Sequence, residues 1–352
     1  MRRPADRLSV ARFTGSILDL FCLPTAKAVG YFRSSAARTQ LLLTLILVAF
    51  PFFLTAPLTA QQKEPDEVIK VNTDLVVFDA QVIDKKSKRI IGDLTRDDFD
   101  VSDNGVKQQI SYFSRDELPL SIILLLDVSR SVRPIIHDIR DGALNALKHL
   151  KPDDQVAVMA FASETKLAQD FTKDRALVSR KIEEATATDV LGNATFVGPA
   201  LESAAIHIEH APTANSRRVI IIITDNIAAT SDRQQHDVLA QLFDSGTVVY
   251  GLIVRGPVGR VFNIVSFGQI KAINKFVDET GGEVLGAGKT EVDQRLGLII
   301  DRLRARYAIG FRPSKTADES FRSVEIKISS ARSRNEKLLV LTKRGYYLRM
   351  KS

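Results

Sequence analysis

Apolar and polar positions along this chain fall into three regimes. Between Leu75 and Phe113 they alternate in short runs: Leu75–Ile83, a polar turn over 84–89, then Phe99–Ser102 and Gln109–Phe113 around Asp103-Asn-Gly105. A period of two marks strands with one buried face, and Asn-Gly between such runs is a strong hairpin signal. From Leu118 to Arg306 the pattern changes. Runs that are apolar throughout (within Ser121–Asp127, Gln155–Phe161, Arg217–Thr224 and Thr247–Val254) recur between segments of helical periodicity. The expected helices are Ile135–Leu150, Arg175–Ala187, Gly198–His210, Gln234–Ser245, Ile270–Thr280 and Val292–Arg306. This alternation predicts an α/β fold with a doubly wound, mainly parallel sheet and helices on both faces. After residue 306 short strands return at Tyr307–Phe311, Phe321–Ser329 and Lys337–Leu341, ending in Lys343-Arg-Gly-Tyr-Tyr347. Neither β segment, 68–116 or 307–352, buries enough surface alone. The two are expected to pair into one small sheet module beside the 118–306 core.

The region ahead of these elements is a leader. Residues 1–40 form a basic extension with seven Lys/Arg against two Asp/Glu, and residues 41–60 carry no charge. Leu41–Leu54 is an apolar core followed by small residues up to Ala60, then a polar linker over 61–67. A basic flank, an apolar core and small residues fit an export signal. Leu58 departs from the usual small-residue pattern before a cut at Ala60, and the uncut segment is nearly long enough to anchor in a bilayer with its basic end inside. Both a cleaved signal and an anchor stay open, and both place the remainder in the periplasm, at the cell surface or outside. Contact with a membrane is expected only through this segment.

Composition removes several function classes. The net charge of +7 falls to +2 once the leader is set aside, so the basic balance gives no argument for nucleic-acid binding. Cys22 is the only cysteine and precedes the apolar core. The exported part therefore has no disulfide, no thiol nucleophile and no thiolate metal site. Gly286-Ala-Gly-Lys-Thr290 resembles the end of a phosphate loop but has Glu283 where the pattern needs glycine. His207 and His210 lack a zinc-protease pattern, no G-x-S-x-G elbow occurs, and no general base stands beside the strand-end loops. An enzyme is not expected. Arg255-Gly-Pro-Val-Gly-Arg260 reads as a solvated basic loop.

The chemistry lies at the ends of the apolar strands. The run from Ser121 stops at Asp127-Val-Ser129-Arg-Ser131, three oxygen side chains on one loop. Alone, this reads more readily as a strand followed by a turn or cap. Asp225, after Ile220–Thr224, and Thr195, in a loop before a helix, change the odds. In an open α/β sheet the carboxyl-end loops of neighbouring strands converge on one edge. Hard oxygen donors gathered there suit a hard divalent cation.

The set Asp127, Ser129, Ser131, Thr195 and Asp225 on this strand order resembles the von Willebrand factor A domain and its metal-ion-dependent adhesion site. The flanks Asp74–Asp84, Leu94–Gly105, Tyr307–Ser314 and Lys343–Tyr347 resemble a secreted bacterial (acidobacterial-type) family related to that domain. The resemblance implies Mg²⁺, or Mn²⁺ or Ca²⁺, held directly by Ser129 and Ser131. Thr195 would bind directly or through water, and Asp127 and Asp225 largely through waters and hydrogen bonds. The remaining position would be filled by a Glu or Asp carboxylate of a protein partner. Neutral hydroxyls with few direct charges leave a cation electrophilic, which suits that role. Many relatives have glycine where Asn226 stands, and asparagine tolerates the left-handed turn better than most residues. The expected function is therefore an exported, non-enzymatic adhesion protein. The alternative is a metal-independent scaffold of the cell envelope.

Overall fold

The computed structural model describes residues 75–213, 215–226, 235–255, 271–313, 321–329 and 337–347. The chain divides into two units, residues 1–70 and 71–352. The first unit, with the leader and the linker, lies outside the described residues, as do residues 256–260 of the basic loop. Among the described residues no helix is long and apolar enough to cross a membrane.

The chain opens with four strands, β1 (Val76–Asp84), β2 (Phe99–Asp103), β3 (Val106–Gln108) and β4 (Ile110–Ser114). The alternating core follows: β5 (Leu120–Asp127), α1 (Ile136–Ala146), β6 (Gln155–Phe161), β7 (Thr165–Thr172), α2 (Arg175–Thr186) and α3 (Val197–Ile208). It continues with β8 (Arg217–Thr224), α4 (Gln235–Ser245), β9 (Val248–Val254), α5 (Lys271–Thr280), β10 (Val284–Ala287) and α6 (Val292–Arg304). Four strands close the described chain, β11 (Tyr307–Phe311), β12 (Phe321–Ile328), β13 (Leu338–Leu341) and β14 (Gly345–Tyr347).

The central sheet has the order β10-β9-β8-β5-β6-β7. Its pairs are parallel except β6 with β7. Every residue of β5 is buried, because each face of the sheet carries helices. Leu120, Ile122, Leu124 and Leu126 pack with Ile139 and Ala143 of α1, Ile182 of α2 and Ile299 of α6. Ile123 and Leu125 face the other way, toward Leu201 of α3, Leu242 of α4 and Phe276 of α5. The doubly wound α/β architecture expected from the sequence is the one observed. Helix α1 starts one residue later than its periodicity suggests. Arg130–Ile135, with Pro134 inside it, forms a 3₁₀ turn, and α1 follows from Ile136.

The flanking segments pair with each other, as expected, but not in a single sheet. They make two four-stranded sheets, β13-β1-β11-β4 and β14-β12-β2-β3. The physical reason is visible in the strand patterns. Phe78, Ala80 and Val82 on β1 form one apolar face, and Phe99, Val101, Val324 and Ile326 on β2 and β12 form another. A single sheet would leave one of them wet. Facing each other, they close one core with Tyr307, Ile309, Phe311 and Tyr346. Phe78 stacks on Phe311 with ring centroids 5.9 Å apart, and Phe99 meets Tyr307 at 5.3 Å. The predicted Asn104-Gly105 hairpin joins β2 to β3 with both residues at positive φ.

Candidate metal centre

Parallel pairing puts the carboxyl ends of β5 and β8 side by side, with Leu126 opposite Ile223. Asp127 ends β5, and Asp225 follows β8. The Thr195 loop is fastened to the same edge by three bonds. The Phe196 amide donates to the Ala162 carbonyl (3.0 Å), the Ala194 amide to Ser163 Oγ (3.1 Å) and the Arg130 amide to the Asn193 carbonyl (3.3 Å).

The five residues singled out in the sequence therefore meet. Thr195 Oγ1 donates to Ser129 Oγ at 2.8 Å, and Ser129 Oγ and Ser131 Oγ are 3.2 Å apart. Ser131 Oγ donates to Asp225 Oδ1 at 3.2 Å. Asp127 Oδ1 accepts the Ser129 amide at 2.9 Å, folding the loop back over the strand end. Asp127, Ser129, Thr195 and Asp225 are buried.

Sequence reading missed a sixth member. Thr224 Oγ1 donates to Asp127 Oδ2 at 2.6 Å and accepts the Asn226 amide at 3.0 Å. The available signal was its place at the strand end beside Asp225. Asn226 takes φ 61°, so the left-handed turn forms without glycine.

Burial pushes the Asp127 carboxyl up to about 6, and the nearby charge of Asp225 adds to this, while hydrogen bonds from Thr224 and Ser129 oppose it. A buried carboxylate held this way favours an added positive charge. Among the described residues no three His, Cys, Asp or Glu side chains converge as a metal cluster; this centre joins two carboxylates to three hydroxyls instead. The phosphate-loop lookalike is the end of β10 running into a 3₁₀ turn, where Glu291 Oε2 takes the Gly288 amide at 2.9 Å. His207 pairs with Asp170 at 2.9 Å and stacks on Phe171.

Residues 122–227 match the family model of the von Willebrand factor type A domain. That stretch is similar to a von Willebrand factor type A domain. The matched stretch contains all five oxygen-bearing residues and four of the six strands of the central sheet, β5 to β8. Solved structures of low similarity include an aerotolerance-related membrane protein from Bacteroides fragilis, 15% identical with a TM-score of 0.41, over 52% of this chain and 99% of that one. A von Willebrand factor type A protein from Catenulispora acidiphila is 11% identical with a TM-score of 0.44, over 70% and 74%. Proximal thread matrix protein 1 of the mussel byssus, in a structure with zinc in its adhesion-site motif, is 17% identical with a TM-score of 0.41, over 53% and 48%. No curated protein matches the chain.

The donor set at this edge also fits a divalent cation on its own geometry. Oxygens held at 2.0–2.1 Å in an octahedron lie about 2.9 Å from their neighbours. The Thr195–Ser129 and Ser129–Ser131 oxygen separations of 2.8 and 3.2 Å bracket that spacing.

Proposed function

We propose that this protein is an exported, non-enzymatic binding protein. Its A domain holds a divalent cation, Mg²⁺ foremost, through Ser129, Ser131 and Thr195, with Asp127 and Asp225 acting around it. The observation that carries this reading is the hydrogen-bonded line of the Thr195, Ser129, Ser131 and Asp225 side chains across three loops of one sheet edge, with Asp127 joined to it through the Ser129 amide. A cation bound there supplies a Lewis-acidic charge for the carboxylate of a Glu or Asp on a protein partner. The rim supports an acidic protein ligand: Arg130 and Arg133 are exposed on the first loop, and Phe196 is 39% exposed on the second. Exposed apolar and guanidinium groups beside a charged centre are what protein interfaces use.

One observation favours a second reading, a metal-independent scaffold of the envelope. The same hydroxyls and carboxylates satisfy one another in the line just described. A pull-down of envelope proteins on the immobilised full chain separates the two. The adhesion reading predicts proteins retained with Mg²⁺ and lost both in EDTA and on Asp225→Ala. Retention indifferent to chelation and to that substitution supports the scaffold.

A further inference from the structure

Asn226 is nine-tenths buried, yet among the described residues its side-chain oxygen has no hydrogen-bond partner. An unpaired buried amide oxygen costs on the order of 1–3 kcal/mol. The residue also sits at φ 61°, where glycine is the least strained choice. Two local penalties thus fall on one side chain, immediately after Asp225. Its amide donates to Thr224 Oγ1, which donates in turn to Asp127 Oδ2. Asn226 is therefore tied to both acidic residues of the centre, and its backbone is fixed by the same network.

A hydrated cation of the magnesium type keeps several bound waters, and each needs acceptors for its protons. Acceptors around this centre are partly taken. Asp127 already receives Ser129 and Thr224 on its two oxygens, and Asp225 Oδ1 receives Ser131. A neutral amide oxygen adds an acceptor without adding negative charge, so it leaves the cation's attraction for an incoming carboxylate intact.

We infer that Asn226 is an additional positioning residue of the cation site, its side-chain oxygen accepting a hydrogen bond from a water on the bound metal. The inference rests on the cation reading of the centre and goes beyond the five-residue set. Residues that support metal-bound groups in this way change affinity by roughly 10–100-fold when lost.

The test uses the full chain, with Mg²⁺ titrated calorimetrically into wild type, Asn226→Gly and Asn226→Asp, and melting followed in EDTA. Asn226→Gly is expected to bind Mg²⁺ about tenfold more weakly, while its melting point in EDTA stays level or rises, because glycine accepts the turn and the unpaired oxygen is gone. Asn226→Asp keeps an acceptor and is expected to bind at least as tightly as wild type. Equal Mg²⁺ affinity in Asn226→Gly and wild type, or weakening of Asn226→Asp to the glycine level, overturns the inference while leaving the five-residue site standing. An absence of binding heat in wild type itself overturns the cation reading, and this inference with it.

Discussion

Asp127 and Asp103 are both fully buried carboxylates, but they are held in opposite ways. Asp103 lies between the two sheets of the sandwich, where Arg322 Nε (3.0 Å) and Nη2 (2.7 Å) and the Tyr346 hydroxyl (3.1 Å) all donate to it. It raises the Arg322 guanidinium above its usual range, and the Tyr346 phenol is pushed up first by burial and then by the charge of Asp103. Removing one partner of such a pair typically costs about 3–5 kcal/mol, because the other charge stays buried. Asp103→Ala is expected to lose that much in urea unfolding, and a loss under 1 kcal/mol would show the pair to be incidental. Among the described residues Asp127 instead has hydroxyl and amide donors and no basic side chain beside it, which agrees with its role in the proposed cation site. Lys343 contributes a pH dependence of its own in the alkaline range. Its ammonium sits 4.8 Å from the centre of the Phe78 ring, and burial pulls it down to about 8, with Asp79 and Asp244 opposing. The folded value lies below the free amine at 10.5, so the unfolded chain binds more protons between those limits. Stability from this group is present above about 10.5 and is lost as pH falls through 8. Lys343→Met is therefore expected to exceed wild type at pH 7 by up to roughly 3 kcal/mol, with the gap shrinking by pH 10. A gap that does not change with pH would contradict it. At this scale the five oxygen residues were legible because strand ends and short polar motifs are local. Thr224 was not, since its role exists only once β5 and β8, 97 residues apart at this bond, become neighbours.

At the scale of elements, the strands and helices of the core were legible from their patterns, because two-face burial makes the centres of β5 and β8 continuously apolar. The strand order and the two-sheet sandwich were not. Both depend on which apolar face meets which, and alternation along β1, β2 and β12 marks a face without naming its partner. The loops that present the site depend on close approaches of the same non-local kind. Gly192 has φ 89°, and a Cβ there would fall 2.5 Å from Ser163 Oγ, the atom that fixes the Ala194 amide beside Thr195. Gly192→Ala is thus expected to cost on the order of 1–3 kcal/mol and to weaken Mg²⁺ binding by displacing Thr195. Unchanged melting and unchanged Mg²⁺ affinity would show that the loop absorbs the methyl group freely.

Across the whole described molecule, the central sheet works from its two ends. Its carboxyl edge gathers the oxygen residues, while the amino end of β8 is fastened to the sandwich. Arg217 forks onto Asp79 of β1 at 2.8 and 3.2 Å, and buried Arg306 donates to the carbonyls of Asp79 and Gly281 (3.0 Å each) and Leu341 (3.2 Å). Tyr250 of β9 links the same region, bonding Gln81 at 2.9 Å and accepting from Arg306 at 3.1 Å. Arginine forks of this kind hold geometry as well as charge, so the strands that present the site are braced from behind. Binding of a divalent cation at this braced edge is measured by melting the full chain across a Mg²⁺ titration, in wild type and in Ser129→Ala, with EDTA reversal. A ligand at a hundredfold excess over its dissociation constant stabilises by about 2.7 kcal/mol. The account predicts a saturable rise in the wild-type melting point that EDTA abolishes and Ser129→Ala lacks; the same melting point with and without Mg²⁺ in both proteins would contradict it.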